Sequence, residues 1–375
     1  MKMGTIASPW RYDGAAVARS NRQSSRLLTT FPYAFACGGG RDFGGWSRYP
    51  PEGCPFDGCS LDLPAIDAWP QGRSIGTCDR ADRCRQISCS RSKVGSMTTA
   101  DWPLPERFTF RGHSIAWGAM GEGSHAILLH GTPFSSSEWR RIGPLLARQR
   151  RVFCFDMLGY GRSDKPNGDV SRGVQNELFA ALYGHWGLQD PDVIAHDFGG
   201  STALRAHLLN GLNYRSLVLI DPVAISPQGS LLVQAAKEHE EVFSGLPSYV
   251  HEAILRAYIS GAVANALRDD EIELYLAPWL GAEGQKAFWR QIAQMDDRYS
   301  EEVEWRYGEI RCPVAILWGE KDEWIPLEDG RELARRVRNA PFHIVPNAKH
   351  LVQEDAPEAI VSTVLGFWRG LEKRD

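Results

Sequence analysis

The sequence lacks the long apolar or basic runs that mark membrane proteins and nucleic-acid-binding proteins. No apolar run approaches the roughly 20 residues of a transmembrane helix, and no run of five or more Lys or Arg residues occurs in the 375-residue chain. The net charge at pH 7 is −4. We therefore expect no membrane and no nucleic-acid partner and a cytoplasmic location, and the sequence leaves the oligomeric state open.

Apolar residues are scarce in residues 1–96, where most of the cysteines lie. This segment has only ten Val, Ile or Leu residues, and it holds six of the eight cysteines: Cys37, Cys54, Cys59, Cys78, Cys84 and Cys89. No Cys-x-x-Cys pair and no His occur among them, which argues against a zinc or disulfide module. Because the segment has so few apolar side chains to bury, we expect it to be disordered, or to be a non-native extension upstream of a true start codon at Met97.

From Met97 onward, short apolar segments alternate with amphipathic ones. Strands are predicted at 108–110, 114–117, 126–129, 152–155, 193–195, 217–220, 314–318 and 342–345, and helices at 137–147, 171–186, 199–209, 327–337 and 357–371. The first two strands are expected to form an antiparallel hairpin around Gly112. Such alternation predicts an α/β protein with a mostly parallel eight-stranded sheet and helices on both faces. Cys154 and Cys312, at predicted strands, are expected to be free thiols, as in a reducing compartment.

Between residues 223 and 308 the pattern is helical throughout. Helices are predicted over 231–243, 248–265, 269–277 and 282–295, with turn residues between them. An insertion at the carboxyl ends of the strands lies where open α/β sheets bind ligands. The sequence therefore predicts an all-helical lid at 223–308 over a core made of residues 97–222 and 309–375.

The most informative residue is Asp197, in the sequence Val-Ile-Ala-His-Asp-Phe-Gly-Gly at 193–200. This pattern predicts a strand, a sharp turn and a helix, the arrangement called a nucleophile elbow, whose tip is usually Ser. No Gly-x-Ser-x-Gly occurs after Met97; the one match, at 72–76, lies in the polar N-terminal segment. A carboxylate attacks without activation by a base, and its natural target is a saturated carbon with a leaving group. The alternative is a structural Asp that caps the helix.

Two further residues complete a candidate triad. Asp322 follows the strand at 314–318, and His350 follows the last strand, so both lie with Asp197 at the carboxyl ends of strands. The order nucleophile, acid, His is that of an α/β-hydrolase. We expect His350 to activate water for hydrolysis of an Asp197 ester and Asp322 to orient His350. Asp221, at the end of the strand at 217–220, is the alternative acid.

A candidate oxyanion hole accompanies the triad. His-Gly-Thr-Pro at 130–133 follows the strand at 126–129, the position from which one backbone N–H is expected. That donor is the amide of Thr132, and the second is the amide of Phe198, the residue after the nucleophile. No cluster of metal-ligating residues is recognisable, so no metal or organic cofactor is expected.

Four motifs together point to a family: His-Gly-Thr-Pro-Phe-Ser-Ser at 130–136, Gly-Tyr-Gly-Arg-Ser-Asp-Lys-Pro at 159–166, His-Asp-Phe-Gly at 196–199 and His-Leu-Val-Gln-Glu-Asp at 350–355. From residue 108 onward the chain resembles the haloalkane dehalogenase and epoxide hydrolase branch of the α/β-hydrolase superfamily. The resemblance implies an alkyl-enzyme ester on Asp197. It favours hydrolysis of a small apolar halide first and of an epoxide second. A further alternative is an α/β-hydrolase that binds a small ligand without turnover.

The chain departs from this family where the leaving group binds. Dehalogenases of this kind typically hold the halide with a Trp after the nucleophile and an Asn after His-Gly, but here Phe198 and Thr132 occupy those positions. Thr132 or a lid Trp would have to replace them, and the candidates are Trp279, Trp289 and Trp305. An epoxide hydrolase needs a Tyr in the pocket to protonate the epoxide oxygen. The candidates are Tyr249, Tyr258, Tyr275, Tyr299 and Tyr307.

Overall fold

The computed structural model describes residues 102, 104–338 and 340–373, so the predictions for residues 1–96 lie outside the described residues. The strands are β1 (Glu106–Phe110), β2 (His113–Met120), β3 (His125–Leu129), β4 (Arg151–Phe155), β5 (Asp192–His196), β6 (Ser216–Ile220), β7 (Val314–Gly319) and β8 (Phe342–Val345). They form one sheet in the order β1-β2-β4-β3-β5-β6-β7-β8. β2 is antiparallel to β1 and β4, and the other neighbours are parallel. Every predicted strand lies within one of these.

The helices flank this sheet. They are α1 (Gly143–Leu146), α2 (Arg172–Trp186), α3 (Asp197–Asn210), α4 (Leu231–Glu238), α5 (Glu240–Ser244), α6 (Ser248–Gly261), α7 (Asp269–Leu276), α8 (Gly281–Ala293), α9 (Arg298–Glu304), α10 (Leu327–Arg336), α11 (Val352–Asp355) and α12 (Pro357–Glu372). Short 3-10 helices cover Ser136–Arg141, Ala277–Trp279 and Tyr307–Glu309. None of the helices in the described residues is long and apolar enough to cross a membrane.

Two helix predictions are wrong in detail. The helix predicted over 137–147 is a 3-10 helix followed by α1, since Pro144 in the first turn of α1 has no N–H to continue a helix from the preceding residues. The helix predicted over 231–243 is interrupted at His239, whose φ of −137° and ψ of 41° are not helical. The structure also has two short helices, α9 and α11, that the apolar spacing in the sequence does not predict.

Alternating side chains of each central strand enter two different apolar layers. In β3, Ile127 and Leu129 belong to the layer that contains Leu178 of α2 and Leu204 of α3. Ala126 and Leu128 of the same strand belong to the layer on the opposite face, with Trp139, Ile360 and Trp368. Successive residues of a strand point to opposite faces, so continuous apolar strands require cover on both sides. Cys154 is buried in the second layer as a free thiol, and Cys312 is a half-buried free thiol shortly before β7.

The chain between β6 and β7 forms α4 to α9 and lies at the carboxyl ends of the strands. Polar contacts attach it to the loop after β3: Trp279 Nε1 donates to the carbonyl oxygen of Pro133 at 2.7 Å, and Gln291 Oε1 accepts from Thr132 Oγ1 at 2.6 Å. These contacts hold the helical segment over the edge of the sheet at which Asp197 lies.

Helix α3 begins directly at the end of β5 and passes very close to β3. An added Cβ at Gly199, in the first turn of α3, would lie 2.5 Å from the carbonyl oxygen of Leu129 and 2.7 Å from that of His130. Backbone atoms cannot yield to such an approach as a flexible side chain can, so Gly is required here. The lack of a side chain at Gly199 brings the start of α3 against the loop that follows β3.

We expect Gly199→Ala to lower the free energy of unfolding by about 1 to 3 kcal/mol, because the new methyl group overpacks the interface with β3. Urea denaturation measures the change. The matched control is Gly366→Ala in α12, where the residue is exposed and a Cβ meets nothing within 4 Å. That change should raise the free energy of unfolding by about 0.5 to 1 kcal/mol. Equal stability of Gly199→Ala and the native protein would contradict the close approach.

Candidate active site

Asp197 is the first residue of α3 and lies at the tip of a sharp turn. Its φ of 48° is in the left-handed region, which residues other than Gly and Asn seldom adopt. The residue is only 3% exposed. Strained backbone of this kind is maintained by the surrounding structure and is common at functional sites. The turn directs the Asp197 side chain toward the loops after β3 and β8.

The two carboxylate oxygens of Asp197 have different neighbours. Oδ1 accepts a hydrogen bond from the Thr132 amide at 2.7 Å, and Oδ2 lies 3.5 Å from Nε2 of His350. Burial alone would raise the pKa of Asp197. The hydrogen bond and charge of His350, the charge of His196 and the Thr132 amide outweigh burial and lower the pKa. Asp197 is therefore an anion at neutral pH.

His350 is held by Asp322. Nδ1 of His350 lies 2.8 Å from Oδ2 of Asp322, and Oδ1 of Asp322 accepts from the amides of Trp324 at 2.8 Å and Ile325 at 3.0 Å. Because a carboxylate can only accept, Nδ1 carries the hydrogen. Nε2 then points toward Asp197, whose Oδ2 lies 3.5 Å away. Burial would lower the pKa of His350, but the charges of Asp322 and Asp197 and the hydrogen bonds to them raise it well above its usual value.

Asp221 lies next to this pair but contacts His350 by neither a hydrogen bond nor an ion pair in the described structure. Its Oδ1 accepts from the Gly319 amide at 2.9 Å, and its Oδ2 has no hydrogen-bond partner. Burial, and then the charge of Asp322, raise the pKa of Asp221 well above its usual value. The structure thus brings Asp322 rather than Asp221 to His350.

A buried pair, His196 and Glu138, lies behind the triad. His196 Nε2 is 3.1 Å from the carbonyl oxygen of His350, and His196 Nδ1 is 3.2 Å from Oε1 of Glu138. The same oxygen of Glu138 accepts from the Gly131 amide at 3.3 Å. The pair thus connects the loop after β3 with the loop that carries His350. Sequence reasoning missed Glu138, which lies in the 3-10 helix and has no motif of its own.

The side chain of Thr132 belongs to a second buried cluster. Its Oγ1 donates to Oε1 of Gln291 at 2.6 Å, and the Tyr160 hydroxyl donates to the same oxygen at 3.0 Å. Nε2 of Gln291 is buried without a hydrogen-bond partner in the described residues. Unsatisfied buried donors are rare in proteins, and this one belongs to a side chain that is bonded to Thr132, a residue of the cavity. Neither Tyr160 nor Gln291 was predicted from the sequence as a site residue.

A cavity of about 590 Å³ opens over these residues. Thr132, Asp197 and Phe198 line its floor, so both residues of the predicted oxyanion hole face it. Its walls are largely apolar and come mostly from the helical segment and from the loop after β7: Val223, Val233, Ala257, Tyr258, Met295, Trp324 and Ile325. The cavity suits a small organic molecule placed against the Asp197 carboxylate.

None of the three tryptophans considered as candidate halide donors is among the residues that line the cavity. Nε1 of Trp279 donates to the carbonyl oxygen of Pro133, and Nε1 of Trp289 lies 3.1 Å from Nδ1 of His251. Trp305 is 73% exposed. Trp324, which the sequence did not single out, lines the cavity, and its ring packs against His350 with centroids 4.8 Å apart and a tilt of 31°.

Of the five candidate tyrosines, Tyr258 of α6 lines the cavity. Its ring stacks on Trp324 at 4.3 Å, and burial raises the pKa of its hydroxyl, which makes no hydrogen bond within the described residues. The other hydroxyls are elsewhere: those of Tyr275, Tyr299 and Tyr307 donate to Glu354, Ser171 and the Ala224 carbonyl, and Tyr249 is 75% exposed.

Residues 126–363 match the family model described as the alpha/beta hydrolase family. This chain belongs to the α/β-hydrolase family. An alpha/beta hydrolase fold protein from Burkholderia ambifaria is 57% identical to this α/β-hydrolase, covers 70% of it and 98% of its own chain, and has a TM-score of 0.69. The predicted fold class and superfamily are thereby confirmed.

Two more distant solved structures resemble this α/β-hydrolase in fold. The epoxide hydrolase CorEH is 23% identical over 71% of this chain and 98% of its own, with a TM-score of 0.57. The haloalkane dehalogenase DbeA from Bradyrhizobium elkani is 23% identical over 72% of this chain and 99% of its own, with a TM-score of 0.60. The two enzyme classes named by the sequence resemblance therefore both occur among the structural neighbours.

We expect Asp322→Asn to lower the pH at which His350 titrates by about 1 to 3 units, because it removes the charge closest to Nδ1. The imidazole titration is followed by NMR, with the His350 signal identified by its loss in His350→Gln. Asp221→Asn is the matched control. It should change the titration of His350 much less, since Asp221 makes no hydrogen bond or ion pair with His350 and accepts from the Gly319 amide instead. A larger change in Asp221→Asn than in Asp322→Asn would mean that Asp221, and not Asp322, controls the pKa of His350.

Proposed function

We propose that this α/β-hydrolase uses Asp197 to displace a leaving group from a saturated carbon, and that water activated by His350 then hydrolyses the ester. The observation that carries the proposal is the arrangement of the Asp197 carboxylate, with one oxygen on the Thr132 amide and the other facing His350 Nε2. The lowered pKa of Asp197, in which the contacts with His350 outweigh the effect of burial, supports an ionised nucleophile.

In the first step, Oδ2 of Asp197 is the attacking oxygen, since Oδ1 is engaged by the Thr132 amide. Its electron pair forms a C–O bond as the bond from that carbon to the leaving group breaks. The leaving group departs with its electron pair, and the product is an ester of Asp197. The step needs no base, because the carboxylate is already charged.

In the second step, water adds to the ester carbonyl carbon and His350 Nε2 takes its proton. The charge that forms on Oδ1 is stabilised by the amide of Thr132 and that of Phe198, a first-turn amide without an intrahelical acceptor. The adduct then collapses, and the bond between its carbonyl carbon and Oδ2 breaks. Oδ2 leaves as part of the alcohol, which takes a proton from His350. Formation of the ester removes the Asp197 charge, one of the contributions that raise the pKa of His350. Formation of the ester therefore lowers the pKa of His350, which favours the neutral imidazole that takes the proton from water.

We also propose that residues 223–308 form the lid of this site. Tyr258 of α6 and Met295 after α8 line the cavity, and Gln291 of α8 contacts Thr132. A lid with these contacts excludes water from the first step, in which it would compete as a nucleophile. The substrate is then a small molecule enclosed between the sheet and the helices.

A halide leaving group is the first candidate. With Trp279 and Trp289 bonded elsewhere, the available donor is Nε2 of Gln291, which is buried, unpartnered and next to Thr132. An amide N–H stabilises a departing halide as an indole N–H does. Gln291 would then take the place of the donors that Phe198 and Thr132 do not provide.

An epoxide is the second candidate, and one observation favours it. Tyr258 lines the cavity, and its hydroxyl makes no hydrogen bond to a described residue, so it is free to act as a general acid for a departing epoxide oxygen. Burial raises the pKa of Tyr258, so the hydroxyl holds its proton until oxygen develops charge.

The ester intermediate is trapped by removing the base. In His350→Phe, exposed to a panel of small haloalkanes and epoxides, we expect a covalent adduct on Asp197, measured by intact mass and peptide mapping. An adduct without halogen indicates dehalogenation, and one with the mass of the whole epoxide indicates epoxide opening. His343→Phe, at an exposed position in β8, is the matched control and should accumulate no adduct. A folded His350→Phe variant without any adduct would contradict the proposal and favour ligand binding without turnover.

Tyr258→Phe distinguishes the two leaving groups. If the substrate is an epoxide, we expect kcat to fall by about 10²- to 10⁴-fold, because the ring oxygen loses its proton donor. Turnover of a halide should change little. Tyr249→Phe, at an exposed position in α6, controls for loss of a lid hydroxyl. Unchanged epoxide turnover in Tyr258→Phe would exclude Tyr258 as the acid.

A further inference from the structure

A buried arginine lines the same cavity as Asp197. Arg172 is the first residue of α2, is 2% exposed and faces the cavity on the Phe198 side. Its guanidinium carbon lies 5.3 Å from the centre of the Phe198 ring, a cation–π contact that fixes the plane of the group. The triad and the oxyanion hole do not use this charge.

The hydrogen bonds of Arg172 all go to neutral groups. Nη1 donates to Oγ of Ser300 at 2.8 Å, to Oε1 of Gln228 at 3.3 Å and to Oγ of Ser201 at 3.4 Å. Nη2 donates to the carbonyl oxygen of Asp296, and Nε has no partner among the described residues. The guanidinium group therefore keeps its full charge and has unused N–H groups.

Other buried arginines in the described part of the chain are paired with acids. Arg140 pairs with Glu354, Arg150 with Asp192 at 3.0 Å, and Arg205 with Glu302 at 2.7 Å. No described carboxylate oxygen lies within 4 Å of Arg172. Burial lowers the pKa of Arg172 to about 10, the effect expected of a cation that has lost water without gaining an anion. Buried charges are normally paired, so Arg172 lacks a counter-ion.

Acidic residues also line the cavity, in its more exposed part. Asp296 lies 3.6 Å from Arg298, and Glu323 pairs with Lys349 at 2.7 Å. Asp297 accepts from the Gln228 amide, and its charge raises the pKa of Arg172 from a distance without pairing with it. The remaining acid, Asp329, is half-buried beside the loop after β7. The cavity is thus lined by several half-buried or exposed acids and by one buried cation without an acidic partner among the described residues.

We propose that the substrate carries a carboxylate, which binds Arg172 while the neighbouring saturated carbon meets Asp197. This inference rests on the proposed function, because it assigns the substrate of the same site. A guanidinium group is planar and matches a carboxylate with two parallel N–H···O bonds.

The position of Arg172 limits how far the carboxylate lies from the reacting carbon. Arg172 contacts Ser201, which lies one helical turn, about 5.4 Å, beyond Asp197 on α3. A carboxylate bound there belongs one or two carbons from the reacting atom. The substrate class is therefore a 2- or 3-haloalkanoate or a 2,3-epoxyalkanoate.

Arg172 also solves an electrostatic problem of this chemistry. The Asp197 carboxylate repels an anionic substrate, and the charge of Arg172, which interacts with that of Asp197, counters the repulsion. The reaction is the same as for a neutral substrate. A bond forms between Asp197 Oδ2 and the substrate carbon as the bond from that carbon to the halogen or to the epoxide oxygen breaks, and hydrolysis of the ester consumes one water. The products are a hydroxy acid with halide and a proton, or a dihydroxy acid.

The test uses unreactive probes, so that it does not depend on the chemistry of Asp197. Binding of 2-methylpropanoate and of its uncharged amide, 2-methylpropanamide, is measured by calorimetry. We expect the acid to bind the native protein at least about tenfold more tightly than the amide, because only the acid pairs with the charge of Arg172. Acid and amide of equal affinity in the native protein would overturn the inference, whether or not any variant folds.

Variants locate the effect at Arg172. In Arg172→Gln the preference for the acid should disappear while the amide binds as before, and Arg172→Lys should keep part of the preference. Ser300→Ala, which removes a neutral partner and leaves the charge in place, is the matched control. Equal loss of both probes in Arg172→Gln would mean that Arg172 only supports packing, which overturns the inference. If instead the acid preference is present and His350→Phe forms no adduct with 2-chloropropanoate, the carboxylate site stands and the proposed chemistry fails.

Discussion

The candidate site depends on one close backbone approach, between the loop after β3 and the start of α3. An added Cβ at Gly199 would meet the carbonyl oxygens of Leu129 and His130, and one at Gly131 would lie 2.6 Å from Cβ of Asp197. With two glycines facing each other, the Thr132 amide reaches Oδ1 of Asp197 at 2.7 Å. The apolar strands on both sides fix this geometry, because β3 and β5 are neighbours in a sheet with almost no exposed surface at its centre.

Three carboxyl groups lie around His350, and each has a different environment, which gives each a different role. Asp197 has a lowered pKa and lines the cavity, Asp322 is hydrogen-bonded to His350, and Asp221 has a raised pKa behind them. Three carboxylates around one imidazole would repel one another strongly at this depth. The raised pKa of Asp221 reduces that repulsion, and in the proposed chemistry an ester on Asp197 would remove a further negative charge.

Local patterns in the sequence predict the frame of the site but not the walls of its cavity. Strand positions follow from short apolar runs, and the candidate triad follows from three polar residues at the ends of such runs. Tyr258, Trp324 and Arg172 have no such local sign, because their place in the cavity depends on how the helical segment packs across the sheet. The same packing decides that Nε1 of Trp279 bonds to Pro133 rather than facing a ligand. The apolar periodicity of one segment gives no information on which residues of another segment it will contact.

The helical segment is joined to the core by polar contacts that lie next to the cavity. Gln291 bonds to Thr132, and Arg172 of the core bonds to Ser300 and to the Asp296 carbonyl of the segment. Both links involve a side chain that has an unused N–H group: Nε2 of Gln291 and Nε of Arg172. The proposed site and the attachment of the helical segment to the core therefore share the same two side chains, Gln291 and Arg172.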